Sequence, residues 1–552
     1  EYTMAEYLHF SRDSRLYMEK DGYLWSVPVL DGFSFSQATN SSEITLNEME
    51  DSTGRSRRGR KMFTDSLSAA EWSFSTYIRP FKSAGGKSAT SGRADSTNTH
   101  QHAVEEALWV AMAGQNVYVP ATGKFEHGAT GGAISSLVVT SGATDSDDLG
   151  NDRTAGTYTI AVPTVGADAN LSAAVATGGG GNSLNTGSNA VITVVVNAGG
   201  TATATLTERG TGFESGNTIT IGSQLLGGDA SGDNLVLTAT SESLTSNATG
   251  LDINFFDSNR AALGTFNLYF VFSDRSAGRL LYKLSNAVVN EAAIDFDIDG
   301  IATVNWSGMA GQIKEVGTGL GAGQVTAATT FPNPGAPGAL WIDTDDSDKL
   351  YISTSAANSA TSWYANISEG STNTGNFIRN RLTNLTLAPE TAFQTGTTFD
   401  REGDGVSNDN YRDSYQVAIT GGSVSISNNI SYLTPEELGK VNQPIEHVTG
   451  TRTVTGSLTC YLASSDAATN KSKNLFQDLV SDVNTVINKF AITLQVGGTD
   501  ATKPRFEISM PTAHFEIPSH SIEDVISLET NFHGLGTSVG EGDEVTLKYI
   551  GV

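Results

Sequence analysis

Three short stretches hold residue types that could do chemistry. In DFDIDG, Asp295, Asp297 and Asp299 alternate ahead of Gly300. That matches the first half of a calcium loop, in which oxygens at positions 1, 3 and 5 precede a turning glycine at position 6. Such a loop closes on a bidentate Glu at position 12, and here that place is held by Trp306, which offers no oxygen. Phe296 and Ile298 alternate with the carboxylates at the spacing of a half-buried strand, and a strand is the expected structure. DREGDGVSNDN repeats the pattern with Asp400, Glu402, Asp404 and Gly405, and Tyr411 stands where the closing acid belongs. Acidic glycine-rich turns bind calcium weakly, so Asp400, Glu402 and Asp404 are the candidate cation ligands, while no metal or other cofactor is assigned. The third stretch is basic: TGRSRRGRKMF brings together Arg55, Arg57, Arg58, Arg60 and Lys61.

Little else supports catalysis. His100 and His102 flank Gln101 without a third ligand at metal spacing, and both are expected to be solvated. GTGLGAG (Gly317 to Gly323) lacks the preceding strand and following helix of a dinucleotide loop and reads as linker. Walker and HExxH motifs are missing. No catalytic residue is assigned, and the chain is expected not to be an enzyme.

At 552 residues the chain exceeds one core and should divide into several domains. With 33 basic and 60 acidic residues its formal net charge is −27. Nucleic-acid binders draw much of their affinity from Lys and Arg on phosphates, so sequence-specific DNA or RNA binding is disfavoured. The Arg55 to Lys61 cluster suits an acidic partner surface better, and the nearest acidic partner is a second copy of this chain. Cys460 is the only cysteine, which excludes an internal disulfide framework. No apolar run reaches the length of a membrane span, and the N-terminal residues alternate charges where a signal peptide has an apolar core. A soluble chain with no membrane partner is expected.

The elements that must position these residues are mostly short strands, since 59 glycines punctuate a chain rich in Ser, Thr, Ala and Asn. Helices are expected at His100 to Gly114 and Ser472 to Phe490, where apolar residues recur three and four apart. The chain also repeats itself. NAVVNEAAIDFDIDGIATVNWSG (Asn286 to Gly308) lies without a gap over TAHFEIPSHSIEDVISLETNFHG (Thr512 to Gly534), placing Phe296 on Ile522, Trp306 on Phe532 and Gly308 on Gly534. VLDGFSFSQ (Val29 to Gln37) resembles ITGGSVSIS (Ile419 to Ser427), EWSFSTYIRP (Glu71 to Pro80) matches TGSLTCYLAS (Thr455 to Ser464), and Leu8 and Phe10 answer Leu385 and Leu387. After each helix comes a strand, GTFNLYFVFS or KFAITLQVG. Five blocks in one order predict a tandem duplication. The first repeat takes 1–120 plus 251–316 and the second 376–552. A Gly/Ser/Thr-rich β module is inserted at 121–250, and a hairpin and linker module, with its acidic turn in GALWIDTDDSDKLYISTS, at 317–375.

On LWSVPVLDGFSFSQATNSSEITLNEME through WSFSTYIRPF, NFIRNRLTNLTLAPETAF, and SVSISNNISYLTPEELG through GTRTVTGSLTCYL, the chain resembles a tail tube (major tail) protein of a long-tailed bacteriophage, of the duplicated-domain type. The resemblance covers both repeats and neither insertion. It implies a mainly β fold of two tandem β-sandwich or barrel domains, each with one flanking α-helix, plus inserted small β modules. It further implies a virion structural protein assembled in the host cytoplasm. Stacked pseudo-hexameric rings, three chains to a ring, would form the hollow tail tube that conducts phage DNA. The implied partners are further copies of the chain, the terminator, baseplate or tip proteins, a sheath where the tail contracts, and DNA in non-specific transit.

A bore must not grip what passes through it, because each phosphate contact adds affinity and friction. The alternating strands offer a lining. Ser34, Ser36, Ser73, Ser75, Ser423, Ser425, Ser457 and Thr459 fall on one face, and Phe35, Phe74, Val424 and Leu458 on the other. The arginines of the Ser41 to Asp65 loop would reach the neighbouring ring. A competing reading is a secreted calcium-binding adhesin or surface-layer protein, which predicts a signal peptide in the full gene and stability that rises with calcium.

Overall fold

The computed structural model describes residues 9–43, 52–53, 61–82, 101–114, 116–119, 124–126, 132–144, 153–162, 175–178, 187–213, 216–228, 234–241, 243–246, 249–256, 263–273, 279–345, 348–365, 377–389, 415–439, 441–464, 472–480, 490–500, 502–537 and 541–551. The fold is mainly β. In chain order the strands of the main body begin with β1 (Ser14–Lys20), β2 (Tyr23–Val27), β3 (Ser34–Glu43) and β4 (Met62–Tyr77), followed by helix α1 (Glu106–Ala113). After an intervening module come β5 (Leu251–Asn254), β6 (Phe266–Phe272), β7 (Leu280–Asp297) and β8 (Thr303–Ala310). A second intervening module precedes β9 (Asn384–Pro389), β10 (Ile419–Ser427), β11 (Thr453–Tyr461), helix α2 (Ser472–Leu479), β12 (Phe490–Val496), β13 (Arg505–Phe515), β14 (Ser527–Leu535) and β15 (Thr546–Ile550).

Side-chain alternation explains why these segments are strands. Along β8 and β12 every second residue is buried, as a pleat with one face on the core requires. Antiparallel pairing runs β1-β6-β7-β8-β4-β3 in the first strand set. In the second set it runs β9-β12-β13-β14-β11-β10. The two orders are the same, and so are the registers. Phe266 faces Ala287 across a bulge that ends at the Leu268–Leu284 pair. Phe490 faces Ala513 across a bulge that ends at Ile492–Met510. Ser34 faces Ser73 and Ser423 faces Ser457, while Trp306 faces Phe74 and Thr530 faces Leu458.

These pairings correct two of the sequence matches. Val289–Gly308 in the first set answers Phe515–Phe532 in the second, so Trp306 corresponds to Thr530 and β8 slips by two residues from the ungapped alignment. A slip of two leaves every side chain on its own face. At the front, Leu16 and Met18, which face Phe270 and Leu268, are the counterparts of Leu385 and Leu387, which face Leu494 and Ile492. Phe10 is exposed ahead of these strands, and Leu8 lies outside the described residues.

One core serves both sets, running from Trp25, Trp72 and Trp306 through Val424 and Leu458 to Phe506, Phe532 and Tyr549. Helix α1 starts later than its periodicity predicts, with Gln101–Ala103 forming a short strand instead. Every residue of α1 is buried, including Glu106, and Ala107 to Ala113 belong to the main core; a helix apolar all round belongs inside a core. Described residues of the second helix run from Ser472 to Leu479.

Both intervening segments contain strands. The first forms a three-stranded sheet (Gly156–Ala161, Ser188–Val196, Ala202–Thr211) and a four-stranded sheet that includes Ser136–Ser141 and Leu235–Thr240. Between them lies a separate core of Ile134, Ile192, Val194, Phe213, Ile219 and Leu237. The second is a four-stranded sheet whose Leu340–Asp343 and Lys349–Ser353 form the expected hairpin. It packs directly on the main body, where Leu340, Ile342 and Leu350 meet Tyr17, Tyr269 and Val271.

Candidate assembly surface

The two strand sets meet edge to edge. The C-terminal half of β7 pairs with β8 on one side and with β10 on the other, in the register Glu291–Ser427, Ala293–Ser425, Asp295–Ser423 and Asp297–Gly421. One sheet therefore runs β3-β4-β8-β7-β10-β11-β14, and the short strand Ser519–Ser521 extends it beyond β14.

Residues directly opposite one another in antiparallel strands point to the same face. Ser34, Ser73 and Ser307 line up across three strands, as do Ser75, Asn305, Ala293, Ser425 and Thr455 across five. All eight sequence-predicted lining residues, Ser34, Ser36, Ser73, Ser75, Ser423, Ser425, Ser457 and Thr459, consequently share one face, and each is exposed or half-buried. On the reverse face Phe74, Val424 and Leu458 are buried and Phe35 is partly so, packed on the core.

Hydroxyls on the open face pair across strands: Ser34 and Ser73 lie 2.9 Å apart, Ser423 and Ser457 3.1 Å. Ser425 donates to Glu291 Oε1 at 2.5 Å, and Asn305 Nδ2 donates to Asp295 Oδ2 at 2.7 Å. Sequence reasoning missed the carboxylates of this face. Glu71 faces Ser36, Glu529 faces Thr459, and Glu291, Asp295 and Asp297 line β7. Glu516 reaches the same side, where the Asn531 amide and His533 hold its carboxyl below the usual range. Among the described residues of these strands, no Lys or Arg stands on the face.

DFDIDG resolves as the end of β7 and a turn. Phe296 is buried, while Asp295 and Asp297 stand on the open face. Asp299 forms an exposed ion pair with Arg381 at 3.5 Å. Among the described residues no group of three or more His, Cys, Asp or Glu is placed to hold a metal. Asp400, Glu402 and Asp404 lie outside the described residues, as do Arg55, Arg57, Arg58 and Arg60. Lys61 is exposed, with Nζ 5.3 Å from the centre of the Phe63 ring. It sits at the base of an exposed arm in which Glu43 pairs with Met62. His102, expected to be solvated, is buried instead, with Nδ1 3.2 Å from Glu106 Oε2. Burial pushes the Cys460 thiol up to about 11.

No family model matches the chain. Over 522 residues, which is 94% of this chain and 70% of the relative, it is 23% identical to the tail tube protein pb6 of Escherichia phage T5. The chain is a relative of phage tail tube proteins. A match of that extent takes in most of both strand sets. Among its described residues no helix is long and apolar enough to cross a membrane.

Proposed function

We propose that the chain is the structural subunit of a phage tail tube and not an enzyme. Its two strand sets are tandem copies of one tube domain, 1–120 plus 251–316 and 376–552, with modules inserted at 121–250 and 317–375. Three chains close into a pseudo-sixfold ring, and stacked rings form the conduit through which DNA leaves the capsid. The chain assembles in the host cytoplasm, becomes part of the virion tail, and meets the terminator and the baseplate or tip at the tube's ends.

The observation that carries this reading is the continuous, mostly polar face, rich in serine, threonine, asparagine and carboxylate, that runs through β3-β4-β8-β7-β10-β11-β14. Placed around a bore, that face gives passing DNA hydroxyls and like charge, with no cation to arrest a phosphate. The kinship with pb6 supports it independently. Electron microscopy of the purified chain tests the reading: hollow filaments with a regular axial repeat are expected. A chain that stays monomeric at high concentration and over a range of salt would overturn it.

A further inference from the structure

The seam inside the chain has a counterpart at its two outer edges. β7 and β10 pair from Glu291–Ser427 to Asp297–Gly421. By equivalent pairings, β3 stands where β10 stands, since each sets a serine opposite a serine of the next strand. Ser519–Ser521 stands where Ala293–Asp295 stands: Ser519 and Ser521 face Glu529 and Ser527 as Ala293 and Asp295 face Asn305 and Thr303. Among the described residues, β3 pairs only with β4, and Ser519–Ser521 only with β14.

Apolar exposure marks the same place. Phe296 is 3% exposed because it lies on Gly422, where a Cβ would come within 2.8 Å of its ring. Its counterpart Ile522 is 79% exposed, and Ile517 nearby is 54% exposed. The residue equivalent to Gly422 is Phe33, which stacks on Phe270 with ring centroids 5.5 Å apart. Inside the chain the apolar residue of the seam lies on bare backbone at Gly422, and at the edges Ile522 would meet the Phe33 ring, so an exposed apolar side chain has an apolar surface to cover it.

We propose, resting on the tube reading, that β3 of one copy of this chain pairs antiparallel with Ser519–Ser521 of the next. The register is Ser34 opposite Ser521 and Ser36 opposite Ser519, with Ile522 covered by the next copy's Phe33. The hydroxylated face is incomplete without this partner, and head-to-tail repetition of the seam closes it. The two kinds of seam are unequal. Asn428 N–H donates to Asn290 O at 2.8 Å, so the antiparallel alternation makes Ala292–Ile426 a hydrogen-bonded pair. Pro518 occupies the place of Ala292 and has no N–H to donate. The seam between copies is therefore one ladder bond weaker than the seam within, and Pro518 keeps the lone chain's edge from pairing indiscriminately.

The test is a chain carrying Ser36→Cys and Ser519→Cys, which fall at a non-hydrogen-bonded pair where side chains approach closely. Cys460 is buried and stays out of the reaction. Oxidation of assembled protein should give covalent trimers that resist denaturant. Gln37→Cys with Ser519→Cys, on opposite faces, should give none. For the wild type, hydrogen exchange at Phe35, His520 and Ile522 should slow at least tenfold on assembly, which covers the case in which the cysteine variant fails to fold. Hollow tubes with neither crosslink nor protection would overturn this register and leave the tube reading standing. Absence of any ring or tube from the wild type would overturn both.

Discussion

The indole N–H of Trp109 donates to the Tyr549 hydroxyl at 2.6 Å, and that hydroxyl donates to Glu105 Oε1, also at 2.6 Å. Trp109 belongs to the helix of the first strand set and Tyr549 to the last strand of the second, so this buried relay ties the two together. Beside it Gln101 Nε2 donates to Gly551 O at 3.3 Å, and β5 pairs with β15. Burial drives the Glu105 carboxyl from 4.5 up to about 7, against the opposing pull of the Tyr549 hydrogen bond and the Arg79 charge.

That shift makes stability depend on pH. The folded chain binds this proton more tightly than the unfolded chain does, so the contribution is complete below about pH 4.5 and is lost as pH rises through about 7. A rise of this size corresponds to something on the order of 3 kcal/mol across the window. Thermal melts of the unassembled chain between pH 5 and pH 8 should show Tm falling. Glu105→Gln, which keeps an acceptor for Tyr549 without a titrating proton, should flatten the profile.

Glycines on the shared sheet offer a second check. A Cβ at Gly456 would lie 2.2 Å from the Phe532 ring and 2.4 Å from Ser423 O, and one at Gly308 would lie 2.1 Å from Val288 O. Overpacking of this kind costs about 1–3 kcal/mol, so Gly456→Ala and Gly308→Ala should each lower the denaturant midpoint. Gly317→Ala, where nothing lies within 4 Å, should leave it unchanged.

Alternation along the strands made much of this legible in the sequence. The split of Ser34, Ser73, Ser423 and Ser457 from Phe74, Val424 and Leu458 needs only a period of two. The same periodicity hid the registers, because a strand moved by an even number of residues reads identically. The ungapped alignment therefore sets Trp306 on Phe532 where the pairing sets it on Thr530, and Leu8 on Leu385 where the pairing sets Leu16. The start of helix α1 is hidden for a related reason: with every residue buried, it carries no amphipathic stripe to mark where it begins. The carboxylates of the open face belong to strands far apart in sequence, and only the pairing brings them together.

Lysine at positions 73 and 457 tests the bore. Ser73 and Ser457 stand half-buried on the hydroxylated face beside Ser34 and Ser423, away from the core, so Ser73→Lys with Ser457→Lys should spare assembly. DNA release should slow and become salt-dependent, since each phosphate contact contributes a slope of about −0.9 in log affinity against log salt. Fluorescence-monitored ejection at two salt concentrations reads the effect, and an unchanged rate would place this face away from the DNA.

The exposed arm from Glu43 and Met62 leads into the basic cluster. If Arg57 and Arg58 bind the acidic surface of the next ring, reversing both to Glu should leave single rings intact and prevent their stacking. Light scattering and electron microscopy distinguish rings from tubes. Raising salt should weaken stacking of the wild type in the same direction, because exposed charge pairs are screened.

Arg209 is the expected hinge between the first inserted module and the body. Its Nη1 donates to Ile134 O and Ser135 O at 3.0 and 3.1 Å, binding the module to itself. The guanidinium also lies 3.4 Å from the centre of the Phe256 ring, and Nε is 3.5 Å from Glu541 Oε2. A planar fork that stacks and bonds at once is not replaced by an ammonium, so Arg209→Lys should loosen the module nearly as much as Arg209→Ala. The loss is about 1–3 kcal/mol of docking. Limited proteolysis should then cut between module and body, while tube formation, which depends on the shared sheet, should continue at wild-type lengths.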